Sequence, residues 1–302
     1  MRIDEIIDVA QRPVFSFEFF PPKTDEGERN LRATLESLAE LEPDFASVTY
    51  GAGGSSQNRT LEVTKWLKRE VGIEAMAHLS CVGTTSEQLR VILDEIAGAG
   101  IDNVLALRGD PPRGDSEWKP HPGGLRYSTE LVSLIRSDYE FSIGAACFPE
   151  IHPEARDLAH DLRFLKEKVE SGASFLITQL FFDNELYFRF VEEARECGID
   201  VPILPGIMPI TDLAQIKTIT GMCGATIPQA LLEALEWRAG DRDAVLQLGV
   251  SYATLQCAEL LARGAPGVHF YTLNRSSATR AILSALKLLR PWVRREVVRV
   301  GG

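Results

Sequence analysis

Short runs of apolar, β-branched and aromatic residues alternate along this chain with longer stretches whose apolar positions recur every three or four residues. The short runs predict eight strands, over Val14–Phe20, Phe45–Tyr50, Glu74–Ser80, Asn103–Leu107, Phe141–Ala146, Phe175–Gln179, Pro202–Gly206 and Val268–Thr272. The longer stretches predict helices over Gly27–Leu41, Arg59–Glu70, Ser86–Ala99, Ser128–Arg136, Pro153–Ser171, Asn184–Cys197 and Thr211–Met222. Two more, Pro228–Arg238 and Ala244–Ala262, precede the last strand, and a closing helix starts near Ser276. Start and stop signals agree with these spans. Ser86 is followed by an acidic residue, Pro153 sits in a first turn, and Gly100, Gly172 and Gly198 lie just past helix ends.

Regular alternation of strand and helix is the pattern of a parallel sheet. Eight repeats point to an α/β fold, a (β/α)8 TIM barrel with extra helices before the last strand and at the C-terminus. No interior linker rich in Pro, Gly or Ser interrupts it, so residues 1–302 read as one catalytic barrel domain. Pro111–Gly124, dense in Pro and Gly, is expected to form an ordered loop over the barrel mouth.

Composition changes this picture little but excludes several functions. At 302 residues, with 45% hydrophobic and 25% charged side chains, the chain is long enough to bury one large core. It has no apolar run near the eighteen or so residues that span a bilayer and no basic-then-apolar start, so a cytoplasmic protein without a membrane partner is expected. A net charge of −11 argues against a nucleic-acid partner, which needs clustered Lys and Arg. The basic residues between Arg290 and Arg299 read as a solvated extension. Five scattered cysteines, none in a C-x-x-C pair, suggest neither a disulfide framework nor a thiolate metal site.

In this fold the active site forms where the strands end at their C-terminal side. The polar groups at those ends are Glu18, Thr49, His78, Arg108 with Asp110, Glu150 with His152, Gln179, and Tyr271 with Arg275. By alternation Glu18 shares a face with Ser16 and Phe20, while Phe17 and Phe19 face the other way. Desolvation among aromatic rings is expected to raise the Glu18 pKa and suit it to donate a proton; a solvated or Arg-paired carboxylate carries equal weight on this observation alone. Arg108 is placed to meet phosphate, and Asp110 to accept from an N–H-bearing heterocycle. His152, beside a helix start, is placed to meet an anion, with His78 near it. Two rivals stand beside this reading. A metal-dependent hydrolase would use His78, His152 and Glu150 as ligands, although no H-x-H or H-E-x-x-H pair is present and no metal is expected. A Schiff-base aldolase would need a strand-end Lys, and none of these ends carries one. Gly51-Ala-Gly-Gly54 is not a dinucleotide fingerprint and reads as a plain turn.

Eight motifs, in order and each at a strand end, together resemble the methylenetetrahydrofolate reductases. They are Phe17-Glu-Phe-Phe-Pro-Pro22, Ser47-Val-Thr-Tyr-Gly51, Ala77-His-Leu-Ser-Cys81, Leu105-Ala-Leu-Arg-Gly-Asp110, Phe148-Pro-Glu-Ile-His-Pro-Glu154, Ile177-Thr-Gln-Leu-Phe-Phe-Asp183, Leu204-Pro-Gly-Ile-Met-Pro209 and His269-Phe-Tyr-Thr-Leu-Asn-Arg275. The resemblance implies a flavoprotein of one-carbon metabolism that uses FAD, takes a hydride from NADH or NADPH, and passes it to methylenetetrahydrofolate in a ping-pong scheme. It also implies Glu18 as general acid and Asp110 as a carboxylate near both flavin and pterin. For the flavin it implies Thr49 and His78, then Leu107, Arg108, Gly109 and Asp110, then Tyr127 and Ser128. The same cofactor would meet Phe148, His152, Asp161 and Lys168. On the substrate side it implies Glu18, Asp110, Gln179, Leu213, Tyr271 and Arg275. Phe148 and Leu213 depart from the pattern, standing where some members carry Tyr and Phe. Relatives form homo-oligomers, so one is expected here, and the end of the chain soon after the barrel implies no regulatory domain and no inhibition by adenosylmethionine. A non-catalytic folate- or flavin-binding subunit is the remaining alternative.

Overall fold

The structure, a computed structural model, describes residues 1–49, 57–109 and 120–293. Nine parallel strand segments form one sheet: β1 Val14–Phe19, β2 Phe45–Val48, β3 Glu74–Ser80, β4 Asn103–Leu107, β5 Ser142–Cys147, β6 Phe175–Thr178, β7 Ile203–Leu204, β8 Gly206–Ile207 and β9 Gly267–Tyr271. Their order is β7-β6-β5-β4-β3-β2-β1-β9-β8. The expected seventh strand is thus split in two. Pro205 has no N–H to give the ladder, and the chain changes partner there: Ile203 and Leu204 pair with β6, whereas Gly206 and Ile207 pair with β9. Each half serves one neighbour, and the ring of eight strand positions closes through this joint.

The helices follow the strands as expected, with shifted ends. They are α2 Asp25–Ala39, α3 Gln57–Trp66, α4 Ser86–Gly98, α5 Ser128–Asp138, α6 Leu158–Glu170, α7 Asn184–Glu196, α8 Leu213–Cys223, α9 Gln229–Glu236, α10 Arg242–Ala262 and α11 Ser277–Leu289. Gly100, Gly172 and Gly198 all adopt positive φ just past helix ends. Two start signals were misplaced. Thr85, not Ser86, caps α4 by accepting from Gln88 N–H, and α6 starts at Leu158 with Asp157 as its cap, leaving Pro153 in the preceding loop. The expected span from Pro153 would have put the end of the β5–α6 loop in helix; instead the loop that carries His152 runs on to Asp157. Helix α3 passes into a π turn at Leu67–Val71, so the expected single helix widens in its last turn before Gly72. Helix α10 is long and apolar enough by composition to cross a membrane, yet its Gly249, Ala253, Cys257 and Leu260 are buried and it packs on α11.

One helix was not legible in the pattern. α1, Ile3–Val9, plugs the N-terminal end of the barrel, with Ile3 fully buried against Phe45, Met76, Leu105 and Phe175 of the barrel interior. Burial of such a side chain contributes about 1.5–3 kcal/mol. Alternation along β1 sorts the remaining layers. Phe15, Phe17 and Phe19 point outward into the core beneath the helices, while Ser16 and Glu18 point into the barrel. The inward face is therefore largely apolar at the plugged end, where Asn103 and Ser142 are hydrogen-bonded to α1, and polar at the C-terminal mouth.

Candidate functional site

Glu18 is the centre of the mouth. Its carboxylate is buried, and its Oε2 lies 3.5 Å from His78 Nε2 and 3.5 Å from His269 Nε2. Strand register makes this meeting: Ser16 pairs with His269 and Glu18 with Tyr271 across the β1–β9 seam, and His78 projects from β3 two strands away. Ser16 Oγ lies 2.8 Å from His269 Nδ1. With Ser16 donating to Nδ1, Nε2 carries the hydrogen that faces the carboxylate, the tautomer a neighbouring anion favours. Stacking on Phe45, 6.1 Å away, and edge contact with Tyr271 at 5.4 Å fix the His269 ring.

The electrostatics correct the expectation for Glu18. Burial pushes its pKa up, as the aromatic surroundings suggested, but the His269 hydrogen bond and the nearby His78 and His269 rings outweigh it and hold the carboxyl below its ordinary value. Sequence reasoning put Ser16 on the Glu18 face and His269 at the head of the last motif but assigned neither a role; only the β1–β9 register brings His269 to the acid and to Ser16. Burial drives His78 the other way, from 6.5 down to about 4, with Glu18 opposing and His269 adding to the fall. His78 is thus a neutral ring at physiological pH.

Around this trio Ser47 Oγ and Thr49 Oγ1 are buried without a hydrogen-bond partner among the described residues, and His78 Nε2 faces only Glu18, at 3.5 Å. Two of them belong to residues expected at the cofactor, Thr49 and His78. The others expected there sit at the end of β4, in the β5–α6 loop and in α5 and α6. Leu107 closes β4, and Gly109 follows at φ 86 with Val82 packed so close that a Cβ would lie 2.5 Å from it. Only glycine fits that turn. Arg108 makes a bidentate pair with Glu154, at 2.6 and 2.7 Å. Tyr127 is exposed and precedes Ser128 at the start of α5. The Phe148 ring meets the His152 ring edge-on at 4.6 Å, and Asp161 accepts the His152 backbone N–H at 2.8 Å. Burial lowers the pKa of His152 and of Lys168, whose ammonium donates to Ala146 O at 2.9 Å. Tyr50, the Gly51–Gly54 stretch expected to turn, Asp110 and most of the Pro111–Gly124 segment expected to form a loop lie outside the described residues.

On the opposite side, Gln179 Oε1 accepts from Leu180 N–H at 2.9 Å. Tyr271 spends its hydroxyl on Thr178 O at 2.6 Å, and burial pushes that phenol well up, so it stays a neutral donor. Gly206 makes room for this ring: a Cβ there would lie 2.6 Å from Tyr271 Cε2 and 2.3 Å from Thr178 O. Arg275 is exposed, and Leu213 opens α8 beside a groove of about 300 Å³ shared with Lys217 and Arg242. Glu150 binds Thr226 N–H with both oxygens instead of facing the mouth. Among the described residues no group of three His, Cys, Asp or Glu side chains is arranged to hold a metal ion, and Glu150, a ligand in the hydrolase reading, is engaged with Thr226.

The methylenetetrahydrofolate reductase family profile matches residues 2–287. The chain is 39% identical over 271 residues to the 5,10-methylenetetrahydrofolate reductase of Escherichia coli K12, covering 90% of each. It is 40% identical over 300 residues to methylenetetrahydrofolate reductase (NADH) 1 of Arabidopsis thaliana, covering 95% of this chain and 51% of that one. The chain thus spans about half the length of the plant relatives it matches. Among solved structures, a Clostridium thermocellum protein that binds two copies of 5-methyl-5,6,7,8-tetrahydrofolic acid superposes with a TM-score of 0.66 at 15% identity, over 95% of this chain and 98% of that one. That likeness establishes the shared barrel.

Proposed function

This chain belongs to the methylenetetrahydrofolate reductase family, and on that premise we propose that it reduces 5,10-methylenetetrahydrofolate to 5-methyltetrahydrofolate with NADH or NADPH through bound FAD, in a ping-pong sequence. The observation that carries the reading is the buried Glu18 carboxyl at the barrel mouth, held between two imidazoles and ringed by unsatisfied polar atoms.

The residues present fit the cofactor. Thr49 Oγ1 and His78 Nε2 hold unused hydrogen-bonding capacity in a buried site, which suits a heterocycle bearing N–H and C=O groups. Arg108 and His152, on the loops after β4 and β5, and Lys168, in α6, supply cationic or donor groups that would hold the phosphates. FAD, when bound, supplies a two-electron carrier that takes a hydride from the nicotinamide and delivers one to the folate one-carbon unit.

Glu18 holds the proton for N10 of the folate, whose protonation opens the five-membered ring and exposes the electrophilic methylene carbon. In the free site the imidazoles favour the charged form of the acid. A ligand that occupies His78 and excludes water weakens that counterweight and leaves desolvation, which favours the protonated form. His269, oriented by Ser16, keeps its Nε2–H against the carboxylate that remains once Glu18 has given up the proton. Gln179 and Arg275 orient the folate by its polar edge and its carboxylates, and Asp110 completes the pterin contacts.

The test is the visible absorption spectrum of the purified protein, followed by anaerobic addition of NADH and then methylenetetrahydrofolate. A flavin spectrum that bleaches with the nucleotide and returns with the folate is the expected outcome. A colourless protein that still reduced the folate would overturn the cofactor assignment, and one that did neither would overturn the activity.

A further inference from the structure

The ladder between β1 and β9 ends at the pair Glu18–Tyr271, yet the two chains remain bound beyond it. Thr272 Oγ1 donates to Glu18 O at 2.6 Å. Asn274 Oδ1 then accepts the Phe20 N–H at 2.8 Å, and Asn274 Nδ2 donates to Phe20 O at 2.9 Å. A side-chain carboxamide has the donor and acceptor of a peptide group, so Asn274 acts as one more rung of sheet where no strand is left to supply it. Its own main chain is secured as well, since Thr34 Oγ1 of α2 donates to Asn274 O at 3.2 Å and Asn274 N–H donates to Thr272 Oγ1 at 3.2 Å.

This arrangement is reached at a conformational cost. Leu273 and Asn274 both adopt positive φ, 51° and 58°. Asn tolerates that region and Leu seldom does, so two adjacent left-handed residues persist only where their surroundings hold them. What they hold is informative. Glu18 is the buried acid; Phe20, two residues on along the same strand face, keeps 41% of its surface exposed; and Arg275, which follows the strained pair, is exposed with no side-chain partner among the described residues. An ordered backbone beneath an exposed ring and an exposed guanidinium is what a binding wall requires.

We infer that Asn274 is a positioning residue: by clasping Phe20 across the β1–β9 seam, it fixes Glu18, Phe20 and Arg275 relative to one another and so sets the alignment of the acid with the folate bound above it. This rests on the proposed folate reduction. The nucleotide half of the reaction needs no proton from Glu18 and is insensitive to the clasp.

Three variants separate hydrogen bonding from strain. Asn274→Gly accepts the left-handed φ and loses the carboxamide. Asn274→Asp accepts the φ and keeps the acceptor for Phe20 N–H, but sets an oxygen against Phe20 O. Asn274→Ala loses both the rung and the φ tolerance. Each is assayed for folate reduction, for NAD(P)H oxidation with a quinone in place of folate, and for amide hydrogen exchange at Phe20. Asn274→Gly is expected to lower folate turnover at least about tenfold and shift its pH profile, with quinone-linked oxidation within about twofold of the parent, as small misplacements of reacting groups do. Phe20 N–H loses protection in Asn274→Gly and Asn274→Ala and retains it in Asn274→Asp. Equal losses in both activities, or folate turnover unchanged with Phe20 exposed, would overturn the positioning role. Unchanged Phe20 exchange would overturn the clasp itself. A parent chain that reduces no folate while Phe20 still responds would overturn the proposed function and the positioning role together, leaving a purely structural clasp.

Discussion

The two ends of the barrel use polar groups in opposite ways. At the plugged end, the buried Asn103 is saturated: its Oδ1 accepts the Ile3 N–H at 2.7 Å, and its Nδ2 donates to Ala75 O at 3.2 Å and Glu74 Oε1 at 3.1 Å. At the mouth, Ser47 and Thr49 are also buried, yet each keeps a hydroxyl without a hydrogen-bond partner among the described residues, and His78 Nε2 faces only Glu18, at 3.5 Å. A satisfied buried group stabilises the fold, and an unsatisfied one costs about 1–3 kcal/mol until something binds it. The plugged end therefore holds the fold together, and the mouth keeps its hydrogen-bonding capacity for a ligand. The barrel tolerates the second because the first is complete.

The widest separation is expected from Glu18→Gln. It should slow the folate half-reaction about 10²–10⁴-fold while flavin reduction by NAD(P)H stays within about threefold and the melting temperature does not fall. Stopped-flow measurement of the two half-reactions decides it, and equal loss in both would remove the acid role. The converse belongs to the plugged end. Asn103→Ala strands the Ile3 and Ala75 main-chain groups and is expected to cost about 3 kcal/mol in urea unfolding, with turnover per folded molecule unchanged. A variant that kept its stability would show that the two ends are less different than their hydrogen bonds suggest.

Acid offers a third comparison. His78 is depressed from 6.5 to about 4, so below pH 6.5 the unfolded chain binds a proton that the folded one refuses. Stability is then lost as pH falls from 6.5 toward 4, by on the order of 3 kcal/mol, and is unaffected by this group above 6.5. His78→Asn should flatten that slope in chemical denaturation between pH 7 and 4; an unchanged slope would place the acid sensitivity elsewhere. The smallest effect is expected from Thr49→Val. Removing an unsatisfied hydroxyl should leave the ligand-free protein as stable or about 1 kcal/mol more stable, yet weaken flavin binding about fivefold, as read by fluorescence titration. Loss of stability without loss of binding would mean that Thr49 belongs with Asn103 and not with the mouth.

Much of this was readable from the chain because the relevant signals are local. Strand period, helix period and glycine stops depend on residues a few positions apart, and they located every strand from Val14–Phe19 to Gly267–Tyr271 within a residue or two. The exceptions have physical reasons. Pro205 splits a strand because the ring must change pairing partner there, a requirement of closure that no local pattern expresses. Ile3–Val9 is a helix too short to show a period, and it is fixed by the hole it fills. The π turn at Leu67–Val71 and the late start of α6 are choices between neighbouring helical registers that packing makes.

The site divides along the same line. Sequence alone determined which residue types stand at the strand ends, including Glu18, Thr49, His78, Arg108, His152 and Gln179, because position along a strand dictates which end and which face a side chain occupies. It could not determine the state of Glu18. Burial, the part visible in the surrounding phenylalanines, argued for a raised pKa; the two imidazoles that reverse it come from β3 and β9, brought to one oxygen by strand register and barrel closure. The same closure made a rung of Asn274 and turned Tyr271 onto Thr178. Which groups exist is a property of the chain, but electrostatic and hydrogen-bonding energies fall off over a few ångströms, so which groups act on one another was decided only when the barrel closed.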